Sequence, residues 1–167
     1  PWRRVARLRA PVITFSDVKY DLDIAASKRW YENASGNGVT WTSHTVSSSW
    51  GVDTRAIVAD MNGDGKKDIV LSHSEGDGRV SWFQNPTWAE HPIESGSLTG
   101  AHSLEVADLD GDGDPDVMVG EMHTSPQKRV IVSLNQGGGV TWNRNILSTA
   151  GTHIARLGDI GGDGDVD

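Results

Sequence analysis

The chain of 167 residues contains no cysteine, so disulfide bonds and thiolate metal sites are excluded. It has no run of about 18 apolar residues, which excludes a helical membrane span. Apolar residues make up only 36% of the chain, while 20 residues are glycine. This composition favours short strands joined by many turns over long helices. The length predicts one domain with a sizeable core.

Basic residues are also scarce, with 15 Lys and Arg against 23 Asp and Glu, which gives a net charge of −8. Because no basic stripe is present, we expect no nucleic-acid partner. The signatures of catalysis are missing as well: no Gly-x-Ser-x-Gly nucleophile motif and no phosphate-binding glycine loop with lysine. The sequence therefore predicts a protein that is not an enzyme.

The abundant feature is aspartate, and 15 of the 17 aspartates lie in four segments at 17–23, 60–68, 108–116 and 159–167. Two segments read Asp60-Met-Asn-Gly-Asp-Gly-Lys-Lys-Asp68 and Asp108-Leu-Asp-Gly-Asp-Gly-Asp-Pro-Asp116. Each has oxygen-bearing side chains at positions 1, 3, 5 and 9 and glycine at position 6. This pattern suits a hard cation such as calcium, and without a cation the carboxylates would repel one another.

The other two acidic segments depart from this pattern. The last segment has glycine at its third position, Gly161, so we predict a weak metal site with four carboxylates: Asp159, Asp163, Asp165 and Asp167. The first segment is two residues short and has Lys19 at its third position. An ammonium group there would oppose a cation, so we predict that this segment binds no metal.

Three markers recur along the chain in constant order. The last aspartate of each segment lies at 23, 68, 116 and 167, so the spacing is 45, 48 and 51 residues. An asparagine follows at 33, 85 and 135, and a stretch containing tryptophan follows at 40–46, 87–93 and 141–147. Such a pattern indicates a structural repeat.

Each repeat contains signals for four strands. An alternating segment (102–108) precedes the acidic loop, and an apolar strand follows it at 68–71 and 116–119. A third strand is predicted at 79–83 and 129–132, and the tryptophan-containing stretch supplies a fourth. Glycine-rich turns separate the third and fourth strands at 36–38 and 137–139. Four antiparallel strands in about 50 residues are typical of a β-propeller blade.

The repeat predicts a fold class and a division of the chain. We expect an all-β protein, residues 1–167 forming one propeller section. Residues 1–10 would form the last strand of a preceding blade. Three blades would follow, at residues 11–50, 51–98 and 99–150, and residues 151–167 would form the start of another. Three blades do not close a ring, so we expect a section of a longer array or a homo-oligomer that completes the propeller.

An EF-hand is not predicted, because its twelfth loop position carries glutamate and its flanks are helices. Leu71 and Val119 stand at that position here, between segments that alternate like strands. Segments of the form Asp-x-Asp-x-Asp-Gly-x-x-Asp between the first two strands of a blade resemble the FG-GAP or VCBS repeats, which also form the propeller of integrin α-chains. The resemblance covers essentially the whole chain and is strongest at the two intact loops.

This resemblance implies two calcium sites. One would use the side chains of Asp60, Asn62, Asp64 and Asp68 with the backbone carbonyl of Lys66. The other would use the side chains of Asp108, Asp110, Asp112 and Asp116 with the carbonyl of Asp114.

The function expected is that of a calcium-stabilised scaffold, extracellular or periplasmic, that binds a protein or carbohydrate ligand. Two alternatives stay open: a section of a carbohydrate-active, lyase-like enzyme, and a lectin whose recurring tryptophans stack on sugar rings. Four histidines, at 44, 91, 102 and 153, recur with the repeat, so we predict a structural role for them. His73 and His123 do not recur and lie soon after the second strand.

Overall fold

A computed structural model of the chain describes residues 22–51, 54–75 and 77–167, without the side chains of residues 77, 96 and 97. Within these ranges the regular structure is all β, which confirms the predicted fold class. The strands form three antiparallel sheets in which sequence neighbours pair. Residues 1–10 and most of the first acidic segment lie outside the described ranges, and the predicted unit boundaries stay predictions.

The first sheet contains β1 (Ile24–Ala26), β2 (Arg29–Glu32) and β3 (Thr42–Thr45). The second contains β4 (Thr54–Ala59), β5 (Asp68–His73), β6 (Asp77–Gln84) and β7 (Ala89–Thr99). The third contains β8 (Ala101–Ala107), β9 (Asp116–Glu121), β10 (Val130–Asn135) and β11 (Trp142–Ser148). The second and third sheets are four-stranded meanders, the form of a propeller blade.

The register repeats between these two sheets. Asp68 pairs with Ala59, and Asp116 pairs with Ala107. On the other side of the same strands, Ile69 pairs with Phe83 and Val117 with Ser133, each two residues before the recurring asparagine. The acidic loops join β4 to β5 and β8 to β9, where the sequence predicted them. The glycine-rich segments lie between β2 and β3 and between β10 and β11, also as predicted.

The fourth strands differ from the prediction in their limits. The stretches predicted at 40–46, 87–93 and 141–147 overlap the strands Thr42–Thr45, Ala89–Thr99 and Trp142–Ser148. Trp88 lies in the turn before β7 with φ of 57°, and its backbone N–H donates to the carbonyl of Gln84. The aligned Trp142, by contrast, is the first residue of β11. The strand β7 extends past the prediction through register shifts opposite Gly78–Ser81.

The core lies between consecutive sheets. One cluster joins the second and third sheets, and its buried members include Met61, Val70, Trp82, Leu104 and Val119. A second cluster joins the first and second sheets through Val46, Trp50, Ile69, Leu71 and Phe83. Trp50, which does not recur in the sequence, is therefore a core residue, only 1% exposed.

The second strand of the middle sheet serves both clusters. Side chains alternate across a strand, so Val70 faces the third sheet while Ile69 and Leu71 face the first. This explains why β5 carries three consecutive apolar residues at 69–71 rather than an alternating pattern.

Two recurring histidines stack on tryptophans of their own sheet. The ring of His44 lies 4.2 Å from that of Trp30, and the ring of His91 lies 4.2 Å from that of Trp82. In both pairs the histidine stands opposite the tryptophan on the neighbouring strand. The contact thus repeats with the sheet, in keeping with the structural role predicted for these two histidines.

Candidate metal loops

Two acidic loops connect the first and second strands of their sheets, at residues 60–67 and 108–115. Each turns through two glycines in the left-handed region, Gly63 and Gly65 in one loop and Gly111 and Gly113 in the other, with φ between 73° and 93°. A side chain at these positions would be strained, which accounts for the glycines at positions 4 and 6.

The first carboxylate of each loop organises the backbone around it. Asp60 accepts hydrogen bonds from the N–H groups of Asp64 (3.1 Å) and Gly65 (2.9 Å). Asp108 accepts them from Gly111 (2.8 Å) and Gly113 (3.0 Å). The chain therefore wraps around the carboxylate at position 1, which draws the later positions toward it.

The ninth position is buried. Asp68 and Asp116 are both 0% exposed, and each accepts two backbone hydrogen bonds. Asp68 accepts from Met61 (3.0 Å) and Asn85 (2.9 Å), while Asp116 accepts from Leu109 (2.7 Å) and Asn135 (2.8 Å). These two aspartates thus connect each loop to the end of the third strand of its sheet.

Burial raises the pKa of Asp68 and of Asp116 above the ordinary value, and the accepted hydrogen bonds oppose this shift only in part. Neighbouring carboxylates of the same loop add to the rise: Asp60 and Asp64 for Asp68, Asp110 and Asp112 for Asp116. A cation between these groups would remove that repulsion, so the charge pattern of each loop favours binding one.

The fifth position of the first loop has a cationic neighbour. The backbone N–H of Lys66 donates to Asp64 and is the main cause that lowers the pKa of this exposed carboxyl. The Lys66 ammonium lies 3.3 Å from the other carboxylate oxygen. This contact is solvent-exposed and therefore weak, so a divalent ion could replace it.

The loop that contains residues 108–116 brings three carboxylates together. Oxygen atoms of Asp108, Asp110 and Asp116 all lie within 4.8 Å of one another, and no other set of three or more His, Asp or Glu does so in the described part of the chain. Asp112 and Asp114 lie outside this set; Asp112 instead accepts the backbone N–H of Asp114 at 2.8 Å. In the loop 60–68, the third position is the amide Asn62, which accepts the N–H of Asp64.

The segment 159–167 folds like the two intact loops. Asp159 accepts from the N–H groups of Gly162, Asp163 and Gly164, and Asp167 accepts from those of Ile160 and Gly161. Gly161 supplies no oxygen at position 3, however, and Asp165 is held only through its own N–H to Asp163. The weak site predicted here stays a prediction.

The sequence marked the recurring asparagine without assigning it a role. Asn135 is fully buried, and its amide donates to the carbonyls of Met61 (3.2 Å) and Pro115 (3.3 Å). Its side-chain oxygen accepts the N–H groups of Gly137 and Gly139. One asparagine therefore connects its own acidic loop, the acidic loop of the preceding sheet and the following turn. Its recurrence after each of the first three acidic segments, at 33, 85 and 135, was the available signal.

The third sheet contains a buried ion pair that was not predicted from the sequence. Arg129 donates through Nε and Nη2 to the two oxygens of Glu121, each at 2.8 Å, and both side chains are nearly inaccessible. Burial alone would raise the pKa of Glu121, but the hydrogen bonds from Arg129 and Thr99 outweigh it and lower the pKa. Arg129 recurs as Arg79 at the start of the predicted third strands, but nothing in the sequence connected it to Glu121.

In a comparison with protein families, the model described as "FG-GAP-like repeat" matches residues 60–119. That range begins at the first residue of one intact loop and includes the whole of the other. No curated protein and no solved structure matches the chain. Within residues 22–51, 54–75 and 77–167, no helix has the length and apolar character needed to cross a bilayer.

Proposed function

We propose that this chain is a calcium-stabilised section of a β-propeller that acts as a non-catalytic scaffold for binding a protein or carbohydrate. The observation that carries the proposal is the convergence of carboxylate oxygens of Asp108, Asp110 and Asp116 within 4.8 Å of one another. A loop of similar sequence occurs at 60–68. The match of both loops to the FG-GAP-like repeat supports it.

The residues of the two loops fit calcium. Their donors are carboxylate, amide and carbonyl oxygens, which hard cations prefer. The ligands would be Asp60, Asn62, Asp64 and Asp68 with the Lys66 carbonyl, and Asp108, Asp110, Asp112 and Asp116 with the Asp114 carbonyl. Calcium is preferred over magnesium, because magnesium demands a stricter octahedral geometry and keeps several waters.

Bound calcium would supply electrostatic neutralisation rather than chemistry. It would stabilise the buried charges of Asp68 and Asp116, which connect each loop to the end of the third strand of its sheet. Asn135 joins the acidic loop of its own sheet to that of the preceding sheet, so an ion that stabilises one loop would also stabilise the position of the other. Calcium therefore holds neighbouring sheets in position as well as each hairpin.

The proposal places the protein outside the cytoplasm, in an extracellular or periplasmic compartment. Sites of the extracellular-module class bind calcium with dissociation constants of about 10⁻⁴–10⁻³ M, which external calcium would fill. Binding to the folded state alone adds roughly 2.7 kcal/mol at a hundredfold excess over the dissociation constant.

Two matched variants test the metal sites. We expect Asp112→Ala to lower the calcium stoichiometry, measured by equilibrium dialysis, by one ion per chain. Asp114→Ala removes the same charge from the same loop, but position 7 binds through its backbone carbonyl, so the stoichiometry should stay unchanged. A wild-type protein that binds no calcium at millimolar concentration, or two variants with equal losses, would contradict the proposal.

A glycan ligand is favoured by a cleft between the first and second sheets. This cleft, of about 310 Å³, is lined by two tryptophans, three polar or charged residues and several apolar side chains; the first five are Trp30, Trp88, Asp23, Asn85 and Lys67. Aromatic rings beside an amide and an ammonium are groups that can stack on and hydrogen-bond to a sugar. A glycan array that shows binding weakened by Trp88→Ala would support the lectin form. Release of unsaturated or shortened sugars would instead support the lyase alternative.

A further inference from the structure

We propose that His102, His123 and His153 form a binding site for a divalent transition metal such as Zn²⁺, separate from the acidic loops. The ring of His153 lies 5.3 Å from that of His102 and 5.0 Å from that of His123. His153 is therefore a close neighbour of both other histidines. This site goes beyond the proposed scaffold function and does not depend on it.

The ring separations fit a shared ion. With zinc–nitrogen bonds of about 2.1 Å and tetrahedral angles, two imidazole centroids on one ion lie about 5 Å apart. The rings of His102 and His153 are also nearly perpendicular, with planes 83° apart. They are therefore not held together by face-to-face stacking, unlike the recurring pairs of histidine and tryptophan.

The backbone fixes the three histidines near one another. The N–H of Thr152 donates to the carbonyl of Glu121 at 2.8 Å, and the N–H of Ala155 donates to the Ser103 hydroxyl at 2.8 Å. These bonds hold the residues on both sides of His153 against β8 and β9. Gly151 approaches so closely that an added Cβ would lie 2.6 Å from the His123 Cα.

The topology places this cluster away from the calcium loops. His102 is at the start of β8 and His123 follows the end of β9, whereas the acidic loop joins the other ends of these two strands. The two sites therefore lie at opposite ends of strands β8 and β9.

Glu75 supplies the partner that metal-binding histidines usually have. Its carboxylate lies 3.0 Å from His102 Nε2. When Nε2–H donates to Glu75, Nδ1 of the same ring carries the lone pair that can bind a metal. His102 is the most enclosed of the three rings, with its side chain 14% exposed, so this bond orients the fixed ligand of the site.

The other two rings complete the site by rotation. Only Asp108, Asp110 and Asp116 bring three donor atoms within 4.8 Å among the described residues, so the histidine nitrogens do not all converge as they stand. His123 and His153 are exposed, and exposed side chains change rotamer within nanoseconds. The two centroid distances from His153 already match those of rings on one ion, so we expect binding to require reorientation of rings rather than movement of strands.

A cleft of about 250 Å³ adjoins the fixed ligand. His102 lines it together with Arg55, Leu104, Glu105 and Arg156. It gives room for a water or a small anion as a fourth ligand beside the Arg55 guanidinium, while the Arg156 guanidinium is paired with Glu105.

The ligand chemistry separates the two kinds of site. Imidazole binds zinc, copper and nickel well, whereas calcium and magnesium prefer oxygen. Zinc should therefore bind at the histidines even when the acidic loops are saturated with calcium.

Calorimetric titration of the whole chain with zinc chloride, in millimolar calcium, tests the proposal. We expect one zinc ion per chain. His153→Ala should weaken binding by at least about tenfold, and Glu75→Gln by about tenfold, through loss of a ligand and of its oriented neighbour. His44→Ala is the matched control, because His44 Nε2 also lies 3.0 Å from a carboxylate, that of Glu32, but its ring stacks on Trp30.

Three results would overturn the proposal: no zinc binding by the wild type in calcium, equal binding by His153→Ala, or an equal loss in His44→Ala. Circular dichroism checks that each variant is folded. If His153→Ala is not folded, the exposed His123→Ala decides the question, since loss of zinc binding there supports the site and retention refutes it.

Discussion

Asn135 donates its backbone N–H to the buried carboxylate of Asp116 at 2.8 Å. The same contact joins Asn85 to Asp68 and Asn33 to Asp23, each at 2.9 Å. It therefore occurs in all three sheets, including the first, whose acidic segment lacks the calcium-loop pattern. The pairing of aspartate with asparagine is thus a structural element of the repeat, and it is kept where metal binding is not expected.

Replacing Asn135 by alanine should destabilise the protein by about 2–4 kcal/mol, because four hydrogen bonds of a fully buried side chain are lost. Urea denaturation with and without calcium measures this. Asn143→Ala is the control: Asn143 is exposed on β11, and the change should cost less than about 0.5 kcal/mol. Equal effects of the two variants would show that Asn135 does not link the loops.

Replacing Gly139 by alanine should destabilise the contact between the second and third sheets. The Trp82 indole N–H donates to the Gly139 carbonyl at 2.8 Å, and a Cβ on Gly139 would lie 2.9 Å from the same ring. Gly138→Ala is a close control, because Gly138 has a similar φ (67° against 69°) but open space around its Cβ position.

Both glycine variants lose about 1–2 kcal/mol from backbone strain. Gly139→Ala should lose a further 1–3 kcal/mol, approximately, from overpacking. Thermal unfolding monitored by tryptophan fluorescence measures both. Equal melting temperatures would mean that the Trp82 ring moves aside without cost.

Replacing Glu121 by glutamine should cost about 3–5 kcal/mol at neutral pH, because it removes the carboxylate that bonds Nε and Nη2 of the buried Arg129 guanidinium. The control is Glu105→Gln, which breaks the solvent-exposed pair with Arg156 and should cost less than about 1 kcal/mol. Denaturant titration of both variants gives the comparison.

The pH dependence of the same pair has a defined sign. The folded-state pKa of Glu121 is lowered, so its stabilising contribution is complete above the unfolded-state pKa and is lost as the pH falls through the folded-state value. The difference in stability between wild type and Glu121→Gln should therefore shrink in acid. A difference that stays constant would show that Glu121 does not titrate with folding.

As the pH is lowered, the affinity for calcium should begin to fall at a higher pH than it would at a site made of ordinary, exposed aspartates. Burial raises the pKa of Asp68 and Asp116, so protons compete with calcium at a pH above about 3.9, the value of an exposed aspartate. Calorimetric titration with calcium from neutral pH downward measures this. An affinity that stays constant until the ordinary aspartate range would contradict the prediction.

Local patterns in the sequence predicted the repeat unit and most of its strands. The acidic segments, the glycine turns and the apolar runs after Asp68 and Asp116 each depend on neighbours within about ten residues. The limits of β7 were missed, because its extension past Ile93 depends on pairing with β6 rather than on its own pattern.

Contacts between distant residues could not be predicted in this way. Asn135 reaches Met61, 74 positions earlier, and Trp82 reaches Gly139, 57 positions later. The histidines at 102, 123 and 153 come together only when the segment after β11 lies against β8 and β9. Their recurrence indicated a structural role for two of them but gave no sign that the three are neighbours.

The burial of β5 on both faces has a consequence for how the molecule unfolds. Its side chains fill two cores at once, so the middle sheet has no core of its own. The free energy of folding therefore resides in the contacts between successive sheets, as in other linear arrays with nearest-neighbour coupling. Excising one sheet would expose the inner faces of both its neighbours, so the smallest unit able to fold is a pair of adjacent sheets.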